Sequence, residues 1–466
     1  MCDENSTNGA LNERFNTPTR FGVLLVCEGA PESTSLWNVW CFLSRKLMNP
    51  RFYDFLPRWL WRPLVYTVVL PCIVRQHQRM HRGTWILSRS RSNAPAENED
   101  AVTTTETAAA VAASAGSEVV GTATVVALAE QLGRLVEQWL RQKLMGRRDA
   151  SVQVEVGFYH RRGSVEAALE RLQLRGGYGR DARDSAGMPV AVEVEELMVL
   201  PLYPHHKAEF TGTVWDAVMR SSYFQRHENI PNVHFIRNYA DHEVYLDTWN
   251  RHIRRYVGQH GTPDWLFIVF QGTRKYVAAS GDTYRDEYTS TAEQLRERLS
   301  TSWSTSSSMP TPADGQFFRG SLNPSRIKSA FLGHGSEALR EPRLERVFLS
   351  IIRQLKSISA MNSLASSLSS SAVNRRGSSD GAASDAGGLS AFLQSRTPLP
   401  LDMAPTAFVV CPGEALDSTT TLWRLQKVLF PEVKKLGWRD IQYIPALNDT
   451  AEHAEVLSAV LEPYLL

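Results

Sequence analysis

The sequence predicts an α/β fold: two doubly wound, Rossmann-type parallel-sheet domains facing a cleft. Three observations lead there. Short, mostly continuous apolar runs recur, as in strands buried on both faces of a sheet. Segments with apolar residues spaced by three and four lie between most of these runs. The runs form an early and a late set along 466 residues, a length that suits two to four domains at about 100 to 200 residues each.

Taken in order, the strand candidates are FGVLLVC (21–27), VQVEVGFY (152–159), EELMVLPLY (195–203), NVHFI (232–236), DWLFIVF (264–270), TAFVVCPG (406–413) and IQYIPAL (441–447). The helical patterns are TVVALAEQLGRLVEQWLRQKL (124–144), SVEAALERL (164–172) with Ser164 as cap, TGTVWDAVMRSSYF, HEVYLDTWNRHIRRYV, RVFLSIIRQL and HAEVLSAVLEPYLL. The reading puts one domain at 21–220 and a second at 221–466, with the last helix packing back on the first domain and residues 1–20 disordered. Three stretches read as flexible inserts: 88–121, 300–315 and 357–388. Their Ser, Thr, Ala, Gly and Pro content buries too little apolar surface to offset ordering.

Bulk numbers exclude several classes. Lys and Arg number 51 against 49 acids, a net charge of +2, so no basic excess points to nucleic acid. The five cysteines are scattered, which argues against a disulfide framework and for a reducing, intracellular setting. The N-terminus has no apolar segment resembling a secretory signal and carries Asp3, Glu4 and Glu13, unlike a transit peptide. The apolar run at 63–74 is too short to span a bilayer, which needs about 20 residues. Around it, 51–75 mixes Phe52, Trp59, Trp61 and Tyr66 with Arg51, Arg58, Arg62 and Arg75. That mixture suits a peripheral membrane interface or a porphyrin mouth as well as an ordinary packed helix pair.

In parallel sheets, ligands meet the carboxyl ends of strands. The run DWLFIVF stops there at Gln271-Gly272, an uncharged side chain where chemistry is expected. His205 and His206 follow another strand end and read as solvated loop residues or, less favoured, as metal ligands; His160 and His334 read the same way. No Gly-x-Gly-x-x-Gly or Walker-type loop follows any strand.

Several blocks, in order, resemble the ferrochelatase family. They are GVLLVCEGAP near the start, VLPLYPHHKAEFTGTVWDAV (199–218), HFIRNYADHEVYLDTW (234–249), CPGEALDSTTTLWRL (411–425) and YIPALNDTAEH (443–453). The resemblance spans 21–466 apart from the inserts. It implies a chelatase-like fold, a place in haem biosynthesis, and a reaction inserting ferrous iron, as substrate, into protoporphyrin IX with no cofactor required. It assigns the porphyrin site to Trp85, Tyr159, Tyr203, Pro204 and Thr211. It also gives a location, the matrix side of the mitochondrial inner membrane, with the cytoplasm as the alternative.

The resemblance fails where the family's catalysts stand. The catalytic His is Gln271 here, and the acidic partner is Thr420. A porphyrin-site Tyr is His81, and a Met-Arg-Tyr triplet is Gly157-Phe158-Tyr159. An amide is no base and a weak metal ligand. The expectation is a ferrochelatase-like protein that binds porphyrin or haem with little or no metal insertion. The alternatives are an active enzyme using His205 or His206, and a scaffold for haem-pathway enzymes. Thr420 also reads as an ordinary helix N-terminal residue.

Overall fold

The computed structural model describes residues 19–52, 56–83, 85–87, 121–145, 150–175, 178–183, 189–191, 194–226, 230–273, 281–303, 317–332, 343–374 and 403–465. The chain divides into two compact units. The first runs to Thr248 and adds Glu414–Thr420 and Leu447–Leu466; the second holds Trp249–Gly413 and Thr421–Ala446.

The first unit opens with β1 (Thr19–Cys27) and α1 (Leu36–Met48). A helical run follows: α2 (Arg58–Leu64), a π-helical turn (Val65–Val69) and α3 (Leu70–Gly83). A hairpin of β2 (Trp85–Leu87) and β3 (Gly121–Ala123) leads into α4 (Thr124–Leu144), β4 (Ala150–Phe158) and α5 (Ser164–Arg175). A second hairpin, β5 (Tyr178–Arg183) with β6 (Pro189–Ala191), precedes β7 (Glu196–Pro201), α6 (Thr211–Met219), α7 (Ser222–Arg226) and β8 (Asn232–Phe235). The four long strands form a parallel sheet in the order β4-β1-β7-β8. Its middle strand, β1, is sealed: Val23, Leu24, Leu25 and Val26 have no exposed surface. That explains the unbroken apolar run, since both faces carry helices. Leu24 and Val26 share one cluster with Val165 and Leu169 of α5 and Val214 and Val218 of α6. A separate cluster joins α1 to the helical run through Phe42, Leu43, Trp61, Val65 and Leu70.

The helix α8 (Glu243–His260) leads to the second unit's β9 (Trp265–Gln271), α9 (Tyr284–Ser300), β10 (Ile327–Leu332), α10 (Leu344–Asn374) and β11 (Thr406–Val410). Then come α11 (Thr419–Leu422), a π-helical segment (Trp423–Leu429), α12 (Phe430–Lys435) and β12 (Asp440–Ile444). Its parallel sheet has the order β10-β9-β11-β12. Phe267, Phe348 of α10 and Trp438 form an aromatic knot within its core. The last helix, α13 (Ala451–Leu461), packs on α4 in the first unit.

Three expectations change. The division falls at 248/249, not 220/221, because β8 hydrogen-bonds to β7 and so completes the first sheet. The segment expected to be a flexible insert at 357–388 is helical through Asn374. Ile358, Met361, Leu364, Ala365 and Leu368 recur there at helical spacing, and Ala and Leu are strong helix formers; residues 375–388 lie outside the described residues. The expected insert at 300–315 keeps order through Trp303, whose N–H donates to the Arg319 carbonyl at 2.9 Å. Residues 88–120 and 304–315 lie outside the described residues.

Candidate functional site

Each sheet has one point where the strand order reverses. The chain leaves the two neighbouring strands in opposite directions there, so their carboxyl ends open a crevice. In the second unit the reversal lies between β9 and β11. Gln271 is the last residue of β9, and the turn after β11 delivers α11. Gln271 Nε2 donates to Thr421 Oγ1 at 2.8 Å. Tyr284 Oη donates to the Gln271 carbonyl at 3.0 Å, and the Gly272 N–H donates to the Leu332 carbonyl at 3.1 Å. Thr421 is fully buried, while Gln271 is half-buried. The bond joins two neutral side chains, neither of which titrates near pH 7. Thr420 sits one residue earlier, half-buried in the first turn of α11. Thr421, the residue that Gln271 touches, was not singled out from sequence.

In the first unit the reversal lies between β1 and β7. Glu28 follows β1, Tyr159 follows β4 and Tyr203 closely follows β7. The Glu28 N–H donates to Tyr203 Oη at 3.0 Å, and the Tyr203 and Tyr159 hydroxyls share a hydrogen bond of 2.9 Å. The Glu28 carboxylate pairs with Lys46 of α1. Burial pushes the Glu28 carboxyl up, but Lys46 outweighs it and holds the group below the usual carboxylate range. Burial also raises both tyrosines well above their ordinary value, so they remain phenols. Gly29 makes the turn possible. Its φ is +78°, and a Cβ there would meet the Phe158 side chain at 2.7 Å.

His160 lies beside this group and is only 2% exposed. Its ring packs against Tyr159 at 4.6 Å, Phe52 at 5.6 Å and Phe42 at 5.8 Å between centroids. Phe42 also meets the buried ring of His81 edge-on at 5.7 Å. Burial lowers His160 to about 3 and His81 to about 4, so both are neutral. The reading of His160 and His205 as solvated loop residues is therefore corrected. His205 is 2% exposed, and burial lowers it to about 3. The preceding residue is tied to the 239–240 segment, where the Pro204 carbonyl accepts the N–H groups of Tyr239 and Ala240 at 2.9 and 3.1 Å.

The remaining expected residues scatter. Thr211 is buried at the start of α6, where its Oγ1 accepts the Lys207 N–H at 3.4 Å. His206 is half-buried. Trp85 pairs through its backbone with Ala123, and its side chain lies outside the described residues, as does His334. Among the described residues no group of three or more His, Cys, Asp or Glu is arranged to hold a metal ion. Of the residues assigned to the porphyrin site, the structure brings Tyr159 and Tyr203 into direct contact.

The surface of α2 and the following turn is apolar and basic. Trp59 is 77% exposed, with Leu60, Tyr66 and Val68 also exposed. Arg58, Arg62, Arg75, Arg79 and Arg82 are exposed along Arg58–Gly83, which contains no acidic residue. Among the described residues no helix is long and apolar enough to cross a membrane.

Comparison with known proteins adds the following. The family model described as Ferrochelatase matches residues 104–308. A ferrochelatase of Proteus mirabilis is 24% identical over 442 residues, covering 95% of this chain and 97% of that protein. One from Yersinia enterocolitica is 26% identical over 281 residues, covering 60% of this chain and 68% of the other. One from Vibrio cholerae is 26% identical over 285 residues, covering 61% and 69%. Among solved structures, a multi-domain Deinococcus radiodurans protein described as structurally similar to chelatases aligns with a TM-score of 0.32 and 12% identity, over 71% of this chain and half of its own.

Proposed function

The chain belongs to the ferrochelatase family, and on that premise we propose that it binds a porphyrin or haem while inserting metal at most in traces. The observation that carries this reading is the neutral Gln271–Thr421 bond at the strand-order reversal of the second sheet. By resemblance, Gln271 stands where the family's catalytic His stands, and Thr420 where its acidic partner stands. Insertion removes two pyrrole protons as the metal enters. A neutral imidazole takes a proton near pH 7, whereas an amide does not. Loss of one catalytic base typically costs about 10²- to 10⁴-fold. No cofactor is needed in this reading, and ferrous iron is a substrate only where activity remains.

The test is a porphyrin titration of the purified protein followed by ferrous insertion on the same sample. Tight binding with negligible turnover supports the reading. Turnover near 1 s⁻¹, about that of a slow ordinary enzyme, overturns it. Turnover that disappears in the His205→Ala/His206→Ala variant would transfer the chemistry to those histidines. That alternative has less support, since His205 is buried and no three-ligand group lies among the described residues. Binding of neither ring would leave a scaffold for haem-pathway enzymes.

The reading extends to place. The exposed aromatics and arginines of Arg58–Gly83 suit peripheral contact with an anionic lipid surface. By resemblance that surface is the matrix side of the mitochondrial inner membrane, with a cytoplasmic location as the alternative; fractionation with a tagged chain distinguishes them.

A further inference from the structure

A carboxylate, an imidazole and two phenols gather at the strand-order reversal of the first sheet. There the donors are already engaged: Lys46 on the Glu28 carboxylate, the Glu28 N–H on Tyr203, and Arg45 Nη1 on the His160 carbonyl at 3.1 Å. Of the two phenols, one O–H bridges the pair, which leaves a single hydroxyl proton. Two acceptors remain. Lys46 contacts Glu28 Oε1, and Oε2 has no hydrogen-bond partner among the described residues. His160 Nε2 is buried and also lacks a partner among them, and in the neutral ring it accepts when Nδ1 carries the proton. The Glu28 carboxylate is held ionised by Lys46 and keeps one oxygen open, so a ligand that donates is its natural complement. The Tyr203 ring stacks on Phe210 at 4.8 Å and 11°, adding a flat aromatic surface at the same strand ends.

We infer that Glu28 is a specificity-determining residue. With His160 it makes this strand end favour a tetrapyrrole that still carries its N–H protons over the metalated ring, which has none. The inference rests on the tetrapyrrole reading above and assigns the discrimination to one carboxylate. A bare divalent cation is the other ligand that an acceptor cluster takes. No suitable three-ligand group exists among the described residues, and Lys46 already offsets the charge of Glu28. The Glu28 side chain is 24% exposed, so a ligand reaches it without unfolding the strand end.

The test compares three rings on three proteins. Metal-free protoporphyrin IX, its square-planar nickel complex and ferric haem are titrated into the wild type, Glu28→Gln and Glu28→Gln/Lys46→Met. The double variant avoids leaving Lys46 half-buried without its partner. Thermal unfolding checks that each variant is folded. The wild type should prefer the metal-free ring over the nickel ring by about tenfold or more, as a hydrogen bond to a charged group provides. Both variants should bring that ratio close to one with nickel-ring affinity unchanged. An unchanged ratio in the variants, or equal wild-type affinities, overturns the inference alone. It is equally overturned if haem binds tightest and loses affinity on Glu28→Gln, since the carboxylate is then an iron ligand. A wild type that binds none of the rings removes the tetrapyrrole reading and this inference together.

Discussion

Gln271 and Thr421 stand 150 residues apart in sequence and meet through a 2.8 Å bond from Nε2 to Oγ1. The acceptor is fully buried, so its loss is felt. Thr421→Val keeps the shape and removes the oxygen. It should destabilise the second unit by about 1 kcal/mol, the usual net worth of such a bond. Urea unfolding measures this, and a change under about 0.3 kcal/mol, far below that worth, would show the bond to be energetically idle.

Arg254 should prove more costly to change. Its guanidinium donates to the carbonyls of Arg298, Thr301, Phe318 and Gly320 and to Asn250 Oδ1. It thereby ties together the segments that flank residues 304–316. It is 1% exposed. A lysine cannot reproduce the planar fork, so Arg254→Lys should lose about 2 to 4 kcal/mol as buried carbonyls go unpaired. A variant within about 0.5 kcal/mol of wild type, the range of an inert surface change, would mean that other groups hold these carbonyls.

Acid should weaken the first unit before ordinary carboxylates titrate. Burial lowers His160 and His205 to about 3, and His81 and His453 to about 4. In the unfolded chain each returns to about 6.5. The unfolded state then binds protons that the folded state refuses. Stability is full above about pH 6.5 and falls toward pH 4, by up to about 1.4 kcal/mol per pH unit for each imidazole. Glu28, held low by Lys46, adds a loss only below the usual carboxylate range. Urea midpoints at pH 7, 6 and 5 should decline, and His160→Gln should flatten the slope. A midpoint constant from pH 7 to 5 would contradict this.

How far the sequence could be read depends on whether a feature is local. The run at 264–270 ends at Gln271 in the chain itself, so the strand end was legible. Its partner Thr421 was not, because only the pairing of β9 with β11 brings that turn across. β10 escaped notice because Lys328 and Ser329 interrupt IKSAFL, although Ala330, Phe331 and Leu332 are buried. The charges of α9 obscure its apolar stripe of Tyr284, Tyr288, Ala292, Leu295 and Leu299. His160 read as a loop residue because Phe42 and Phe52, which enclose it, lie more than a hundred residues earlier. Glu28 drew no attention at all; its signal was a lone carboxylate directly after an apolar strand.

Membrane contact should be peripheral and salt-sensitive. Trp59 supplies the exposed ring and five arginines supply the charge. Replacing Trp59 and Tyr66 with Ser should weaken binding to anionic vesicles, and raising salt should weaken it further, since surface attraction is screened over about 8 Å at physiological ionic strength. Flotation on vesicles with and without phosphatidylserine measures both effects. Binding indifferent to salt and to anionic lipid would remove the interface.

Installing an imidazole at 271 and a carboxylate at 420 is the sharpest test of the Gln271 argument. Gln271→His places an imidazole where the amide now reaches Thr421. If Nδ1–H takes over the donation to Oγ1, the tautomer is fixed and Nε2 is left as the base. Thr420→Glu places a carboxylate in the first turn of α11, where a negative charge is tolerated at a helix N-terminus. Thr420 is half-buried, so the longer side chain has a route to solvent. Groups that act as a unit gain more together than separately, so the double variant should exceed the sum of the singles, by about 10²-fold over wild type. The gain should stay partial, because by resemblance Gly157 and Phe158 stand where the family carries a Met-Arg pair. Zinc or ferrous insertion by all four proteins, with porphyrin affinity measured alongside, decides the matter. A double variant that is folded, binds porphyrin tightly and gains nothing would show that Gln271 and Thr420 are not what limits metal insertion.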